Sequence, residues 1–316
     1  MNNYKSDIII NNILNFNIKI SSVFIFTFVS LINVSCSQEK EQPKPQNIET
    51  NYYAFISQLK VPEKLEFCGE RVPLEIPEVK ERAEREFYLL LQTPGQIILY
   101  IKRSGKYFPI FEKYLKEQNL PDDIKYLSVA ESALYMARSP KDAVGLWQFI
   151  PSTAKKFGLL IDDYVDERKH PEKSTEVALK YLNQGFKAHQ SWTLAAAGYN
   201  MGQEGVANSL DFQTKNNFYD LFLNDETSRY ILRIILIKEL MSNASKYGFK
   251  ISSNDIYKPD SYKLIDEKDA IPNLAEWAKS HNASYKDIKL LNPWILQKSL
   301  PLPHKGKSWC IAVPDK

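Results

Sequence analysis

Residues 121–134 read PDDIKYLSVAESAL, and their pattern predicts a helix that extends from Pro121 to Ala137. Acidic residues in its first turn favour the helix dipole. Its apolar residues recur at helical spacing and define one face of the helix: Ile124, Leu127 and Leu134. Glu131 lies on the same face, four residues after Leu127 and three before Leu134. The helix therefore directs one carboxyl group towards the interior of the protein.

A carboxyl group on that face has three possible states. Burying it ionised and unpaired costs on the order of several kcal/mol, so it is paired with Lys or Arg, hydrogen-bonded, or kept protonated by a raised pKa. The last state is that of a general acid that is ready to donate a proton. Helical periodicity alone leaves both a structural ion pair and a catalytic acid open for Glu131.

Two segments further along the chain carry side chains suited to holding a sugar. The first, residues 143–158, reads AVGLWQFIPSTAKKFG. Gly145 allows a close backbone approach, while Trp147 and Gln148 offer a stacking face and an amide. Taken alone, this segment is better explained as an ordinary turn before a helix that starts at Pro151 or Ser152.

The second segment, residues 195–205, reads AAAGYNMGQEG. Small residues followed by Tyr199 and Asn200 are expected of a helix that packs closely and ends by presenting polar side chains to a cleft. A simple helix C-cap at Gly202 would have a similar sequence.

Helical spacing of apolar residues continues on both sides of these motifs. It predicts helices at 79–93, from Gln96 onwards, at 107–119, 151–157, 174–189, 193–200 and 228–246. Frequent Pro and Gly residues predict an extended segment over 52–77. After a polar break at 254–259, a strand, two short helices and a second strand are predicted at 262–265, 274–279, 285–291 and 309–313. The predicted fold class is mainly α, with a small β-α-α-β module at the C-terminus.

Composition excludes several classes of function. The 316 residues include 41 Lys and Arg against 38 Asp and Glu, a net charge of +3 with no basic block, so no nucleic acid is expected as a partner. Three cysteines are too few for a disulfide scaffold, and four histidines without close His or Cys spacing argue against a structural zinc site. Cys68 and Cys310 either pair or remain two separate thiols.

The N-terminal residues have the character of an export signal. Residues 20–34 are apolar and uncharged, shorter than the roughly 20 residues of a membrane-spanning helix, and they follow Lys5 and Lys19. They lead into Asn33-Val34-Ser35-Cys36, which resembles a bacterial lipobox, in which the cysteine becomes the lipidated first residue. Cys36 is therefore the predicted membrane anchor, unless it lies near a cleavage site by chance. The polar residues at 37–45 are its predicted tether.

Taken together, the motifs around Glu131 resemble the lytic transglycosylases of the lysozyme-like superfamily, specifically the membrane-bound lytic transglycosylase D group. The resemblance covers about residues 79–250 and rests on motifs in a fixed order: Glu131-Ser132, Gly145-Leu146-Trp147-Gln148, Ile150-Pro151, Thr153-Ala154, Gly198-Tyr199-Asn200-Met201-Gly202 and Glu226-Thr227-Ser228-Arg229-Tyr230. The wider superfamily commonly has Met in place of Trp147 and Ala or Ser in place of Met201. Trp occurs at the first position within the D group, whereas Met201 sets the local subsite apart.

This resemblance implies a lysozyme-like helical catalytic domain with an added N-terminal helical region, and it implies no metal and no organic cofactor. It implies that Glu131 is the single catalytic acid and base and that Ser132 is its hydrogen-bonded neighbour. The implied contacts with substrate are Gly145, Gln148, Tyr199, Asn200 and a Tyr230 hydroxyl that faces the glutamate.

The implied reaction cleaves peptidoglycan strands between N-acetylmuramic acid and N-acetylglucosamine. Glu131 would protonate the linking oxygen and then, as a base, activate the C6 hydroxyl, which leaves a 1,6-anhydro end without consuming water. Most retaining glycosidases use a second carboxylate. The nearest candidates in the sequence are Asp142, Asp162, Asp163 and Asp166. They are expected to be structural or solvated. A hydrolytic lysozyme and a catalytically silent glycan-binding scaffold stay open as alternatives.

The C-terminal module resembles a degenerate LysM module, a small glycan-binding fold, through Leu290-Leu291-Asn292-Pro293 and Ile311-Ala312-Val313-Pro314. The usual Gly-Asp-Thr turn is missing, and Trp294 is equally a sugar platform or part of a small core. The expected division is a signal peptide (1–35), a tether and extended segment (36–77), a catalytic domain (78–250), a linker (251–261) and a LysM-like module (262–316). Such a lipoprotein is expected at the bacterial outer membrane, facing the periplasm.

Overall fold

The computed structural model describes residues 48–315, with side chains from residue 51 onwards. This part of the chain contains eleven α-helices and two antiparallel strand pairs, which confirms the predicted mainly α fold class. The predicted signal segment, Cys36 and the polar tether lie outside the described residues.

The segment expected to be extended starts as a helix. α1 spans Ile48–Gln58, and a short hairpin of β1 (Glu66–Phe67) and β2 (Glu70–Arg71) follows it. The first proline of this region is Pro62, so no helix breaker acts on residues 48–58. The prolines therefore determine only the irregular part after α1.

The next two helices pack their apolar faces into the main core. α2 spans Pro77–Leu91 and α3 spans Pro94–Glu117, each with a proline in its first turn. The prediction of separate helices from Gln96 and at 107–119 is wrong, because α3 runs through Pro109. Buried residues on both sides of Pro109, among them Ile97 and Phe111, hold the helix in one piece.

The helix that carries Glu131 is shorter than predicted. A 3-10 turn at Asp122–Ile124 leads into α4, which spans Lys125–Ser132. The chain leaves the helix because Ala133 and Leu134 adopt left-handed conformations with φ of 55° and 53°. The amide of Ala133 donates to the carbonyl of Val129 at 2.8 Å and closes the last turn. The predicted end at Ala137 is therefore wrong, and Glu131 lies at the very end of α4.

The remaining helices of the main core are α5 (Pro151–Lys156), α6 (Pro171–His189), α7 (Trp192–Met201), α8 (Gln203–Gln213) and α9 (Asp225–Ser242). The sequence does not predict α8, because its one fully buried side chain, Val206, forms no apolar stripe. α9 is buried on most sides and lies against α2, α4 and α7. It is the central helix of the domain.

The C-terminal module has the predicted β-α-α-β order. β3 (Tyr262–Glu267) and β4 (Trp309–Pro314) pair antiparallel, and α10 (Leu274–Ser280) and α11 (Tyr285–Leu291) lie between them in the chain. Val165, from the helical part of the chain, packs into the small core of this module. The amide of Asp166 also donates to the carbonyl of Trp294 at 2.8 Å. The loop around 161–168 therefore attaches the module to the helical domain.

The described residues show the state of two cysteines and the hydropathy of the helices. Cys68 and Cys310 are free thiols, so the alternative of a disulfide between them is wrong. Within residues 48–315, no helix has both the length and the apolar character needed to cross a bilayer.

Candidate active site

Glu131 lies at the wall of a cavity of about 600 Å³. The left-handed turn at Ala133 ends α4 immediately after it, so the carboxyl group projects from a helix end and not from mid-helix. The lining polar side chains include ones from four separate parts of the chain: Glu131, Gln148, Tyr199 with Asn200, and Glu226. Folding therefore gathers polar groups around one carboxyl.

The carboxyl group of Glu131 is enclosed although the residue as a whole is half-buried. The Tyr230 hydroxyl donates a hydrogen bond to Oε1 of Glu131. Burial is the largest influence and raises the pKa of Glu131 from 4.5 to about 7, whereas the Tyr230 hydrogen bond lowers it. At neutral pH this group is present in both protonation states, as a residue that donates and accepts a proton must be.

Two charged residues of α9 act on Glu131 with opposite sign. The carboxylate of Glu226 raises the pKa of Glu131, and the guanidinium of Arg233 lowers it. Glu226 precedes Tyr230 by four residues and Arg233 follows it by three, so all three share one face of α9. The helix thus presents an acidic and a basic group on opposite sides of the tyrosine that holds Glu131.

The end of α7 contributes Tyr199 and Asn200 to the cavity, as the sequence suggested. The Tyr199 hydroxyl donates to the carbonyl of Trp147 at 2.7 Å. Asn200 accepts from the Thr227 hydroxyl at 2.7 Å and donates to Glu226 Oε1 at 3.3 Å. These bonds fix both side chains before any sugar binds.

The beginning of α7 is held by a residue that the sequence analysis missed. Glu70, on β2, accepts hydrogen bonds from the amides of Trp192 and Thr193 and from the hydroxyls of Ser191 and Thr193. A carboxylate at a helix N-terminus satisfies free amides and complements the helix dipole. The N-terminal hairpin therefore anchors the helix that carries Tyr199 and Asn200. No local signal in the sequence links positions that lie 122 residues apart.

The segment from Gly145 to Gln148 turns sharply beside α4. Gly145 has a φ of +88°, and a Cβ there would lie 2.0 Å from the carbonyl oxygen of Arg168. Only glycine fits this approach. Gln148 lines the cavity and donates through Nε2 to the carbonyls of Ala137 (3.2 Å) and Gly145 (2.8 Å). Gly145 packs closely against the backbone of Arg168, and its contact with substrate stays a prediction.

Two expectations for this region are corrected. The Ser132 hydroxyl donates to the carbonyls of Leu146 (2.8 Å) and Ser128 (3.1 Å), so it fastens the turn to α4 instead of bonding to Glu131. Trp147 is fully buried and donates through its indole N–H to Thr175 at 2.9 Å. A ring without exposed surface cannot stack on a sugar, so Trp147 is a core residue.

Of the four acidic residues that the sequence offers as second carboxylates, three have structural roles and one is exposed to solvent. Asp166 accepts two hydrogen bonds from the guanidinium of Arg168, at 2.9 and 2.8 Å, and a third from its amide at 3.2 Å, and so braces its loop. Asp142 pairs with Arg138 at 2.6 Å, and Asp162 accepts from the amides of its own turn. Asp163 is exposed. The second carboxylate at the cavity is instead Glu226, whose position four residues before Tyr230 was the available signal. No His, Cys, Asp and Glu cluster of metal-binding size lies among residues 51–315.

Trp294 of the C-terminal module is a core residue and not a sugar platform. It is 3% exposed and packs between His170 and Trp309, with ring centroids 5.8 and 6.0 Å away. The neighbouring Asn292 is also buried and bonds to both the amide and the carbonyl of Ala312. The motif around 290–294 therefore builds the module's interior.

The region that forms the site is similar to known proteins. Residues 108–222 match the family described as the transglycosylase SLT domain, and residues 265–316 match the soluble lytic transglycosylase C-terminal LysM-like domain. Two similar relatives are proteins named membrane-bound lytic murein transglycosylase D, from Escherichia coli K12 and from Escherichia coli O6:H1 (strain CFT073). Each is 27% identical over 195 residues, which is 60% of this chain and 43% of the relative. The match therefore spans less than half the length of these relatives.

Proposed function

We propose that this chain, which carries a transglycosylase SLT domain followed by a LysM-like C-terminal domain, is a peptidoglycan lytic transglycosylase. The observation that carries the proposal is the environment of Glu131, which combines an enclosed carboxyl, a pKa of about 7 and a hydroxyl partner at the wall of a cavity. Glu131 lies inside the segment that matches the SLT domain. A carboxyl of this kind suits both proton donation and proton acceptance at neutral pH.

In the first step, protonated Glu131 donates its proton to the oxygen that links N-acetylmuramic acid to N-acetylglucosamine. The bond between that oxygen and the anomeric carbon breaks as the acetamido oxygen of the muramoyl residue bonds to the same carbon. The N-acetylglucosamine leaves with the proton. Tyr230 donates to the Glu131 carboxylate that this step creates and so stabilises it.

In the second step, Glu131 acts as a base. It accepts the proton of the muramoyl C6 hydroxyl, whose oxygen attacks the anomeric carbon and displaces the acetamido oxygen. The product is a 1,6-anhydro end, Glu131 is protonated again, and no water is consumed. Gln148, Tyr199 and Asn200 hold the sugar beside Glu131, because each lines the cavity with a side chain already fixed by hydrogen bonds.

The remaining parts of the chain serve the same substrate in this proposal. Residues 1–35 form a signal peptide, and lipidated Cys36 anchors the protein at the outer membrane through the tether that follows. Residues 78–250 form the catalytic domain, and 251–261 link it to the LysM-like module at 262–316. The domain at 265–316 matches a LysM-like family, which supports an additional contact with the glycan strand.

The decisive experiment is mass spectrometry of peptidoglycan digested by the purified chain and by a Glu131→Gln variant. We expect products that are one water lighter than those of a lysozyme, and we expect them only with Glu131 present. Asp163→Asn is the matched control, because it removes an exposed carboxylate without touching the cavity.

Other outcomes would replace the proposal. Reducing-end products that depend on Glu131 would indicate a hydrolytic lysozyme. An absence of products from a folded wild-type protein that still binds peptidoglycan would indicate a glycan-binding scaffold.

A further inference from the structure

Two arginines beside Glu131 differ from every other arginine of the chain. Six of the eight arginines pair with a carboxylate: Arg71, Arg82, Arg85, Arg138, Arg168 and Arg229. Within the part of the chain that the structure describes, Arg103 and Arg233 form no ion pair, and the one carboxyl on which the charge of Arg233 is seen to act is that of Glu131 itself. An arginine without an internal counter-ion is available to an external anion.

Both guanidinium groups are held close to the end of α4. Arg103, on α3, donates to the carbonyl of Ala133 at 2.9 Å, two residues after Glu131, and lies 5.3 Å from the ring centroid of Tyr135. Arg233 donates to the hydroxyl of Tyr100, and Arg103 is near enough to act on the same hydroxyl. Tyr100 is thus the shared neighbour that brings the two arginines together.

The two arginines are also accessible. Arg233 is exposed and Arg103 is half-buried, while Tyr135 beneath Arg103 is 61% exposed. Contacts with a carbonyl, a ring and a hydroxyl orient the groups without neutralising their charge. Preorganised guanidinium groups bind a carboxylate in a bidentate manner at a low cost in side-chain entropy.

We infer that Arg103 and Arg233 form a carboxylate-binding subsite beside Glu131, which recognises an anionic group of the muramoyl unit. This inference rests on the proposed function and deepens it. The sugar rings of the strand are uncharged, so its carboxylates lie on the stem peptide or, where the peptide is removed, on the lactyl group itself. Both sources present the same chemistry to the arginine pair.

Binding is the sharpest test because it does not require turnover. In a Glu131→Gln background of the full chain, calorimetry would measure the Kd for soluble strands that carry stem peptides and for strands stripped of them by an amidase. We expect Arg233→Gln and Arg103→Gln each to weaken binding about tenfold, as expected for a lost hydrogen bond to a charged group. Arg233→Lys should recover part of this loss, since it keeps the charge but not the fork.

Arg71→Gln is the matched control, because Arg71 is an exposed arginine that pairs with Glu75 on the N-terminal hairpin. A loss confined to peptide-bearing strands assigns the subsite to the peptide carboxylates, and a loss on stripped strands assigns it to the lactyl group. Equal Kd values for Arg233→Gln, Arg103→Gln and their parent on both substrates would overturn the inference, even if the wild-type enzyme is active. Conversely, an enzyme that forms no anhydro products overturns the proposed function, while the binding result still decides the subsite.

Discussion

Replacing Tyr230 by Phe removes the hydroxyl that donates to Glu131 and leaves the ring in place. This hydrogen bond favours the carboxylate and lowers the pKa of Glu131, against the larger effect of burial. Without it, the protonated form of Glu131 persists to higher pH. We therefore expect the alkaline limb of the pH–rate profile to shift to higher pH, while the rate itself falls because a contact with the catalytic carboxyl is lost.

The size of the effect follows from the contact that is lost. A hydrogen bond to a charged acceptor contributes about 1.5–3 kcal/mol, which would raise the pKa of Glu131 from about 7 to roughly 8 or 9. At pH 8.5, wild-type Glu131 would be about 3% protonated, whereas a group of pKa about 8.5 would be half protonated. The plateau rate should fall about tenfold, because the carboxylate formed after proton donation loses its partner.

The assay is the release of anhydro-muropeptides from purified peptidoglycan, followed as kcat/KM between pH 5 and pH 10. Thermal unfolding at each pH shows that the variant remains folded. An alkaline limb that stays in place, or moves towards acid, would refute the assignment of that limb to Glu131 under the influence of Tyr230.

Three further predictions test other parts of the site. Glu226→Gln removes a like charge, so the pKa of Glu131 should fall and the alkaline limb of the pH–rate profile should move towards acid; an unchanged limb would contradict this. Continued formation of anhydro products by this variant would show that Glu226 is not a nucleophile. Glu131→Gln should stabilise the fold by up to about 3 kcal/mol at pH 8.5 but not at pH 4, because the wild-type carboxyl must ionise in an enclosed site above its folded pKa of about 7. Denaturant unfolding at both pH values measures this, and the same difference in unfolding free energy between variant and wild type at pH 4 and pH 8.5 would count against it. Glu70→Gln should destabilise the protein by about 1–2 kcal/mol and lower Tm by a few degrees in calorimetry, since the start of α7 loses its anionic cap; an unchanged Tm would show that Ser191 suffices.

Much of the secondary structure follows from local patterns. The helices α2, α6, α7 and α9 and the β-α-α-β order of the C-terminal module lie where apolar spacing predicts them. The departures have identifiable causes. Packing on both sides carries α3 through Pro109, whereas two left-handed residues end α4 before its apolar pattern ends. Neither outcome is encoded in periodicity, since each depends on neighbours that are distant in the chain.

The site residues likewise divide into those that the sequence identifies and those that depend on tertiary packing. The sequence by itself determined that a carboxyl at position 131 lies on an apolar face, and its motifs identified Gln148, Tyr199 and Asn200 as side chains that line the same cavity. It also suggested the Tyr230 hydroxyl that bonds to Glu131.

Only the tertiary structure decided which groups touch and which are buried. In the folded protein Trp147 is buried and the Ser132 hydroxyl bonds to the carbonyl of Leu146. Glu226 lines the cavity, and Glu70 accepts hydrogen bonds from the start of α7. The physical reason is that residue type and spacing determine which face of a helix a side chain occupies, whereas burial, charge proximity and hydrogen-bond partners depend on how separate helices pack. The pKa of Glu131 belongs to the second class, because it is raised mainly by burial and is adjusted by Tyr230, Glu226 and Arg233 of α9, about a hundred residues away along the chain.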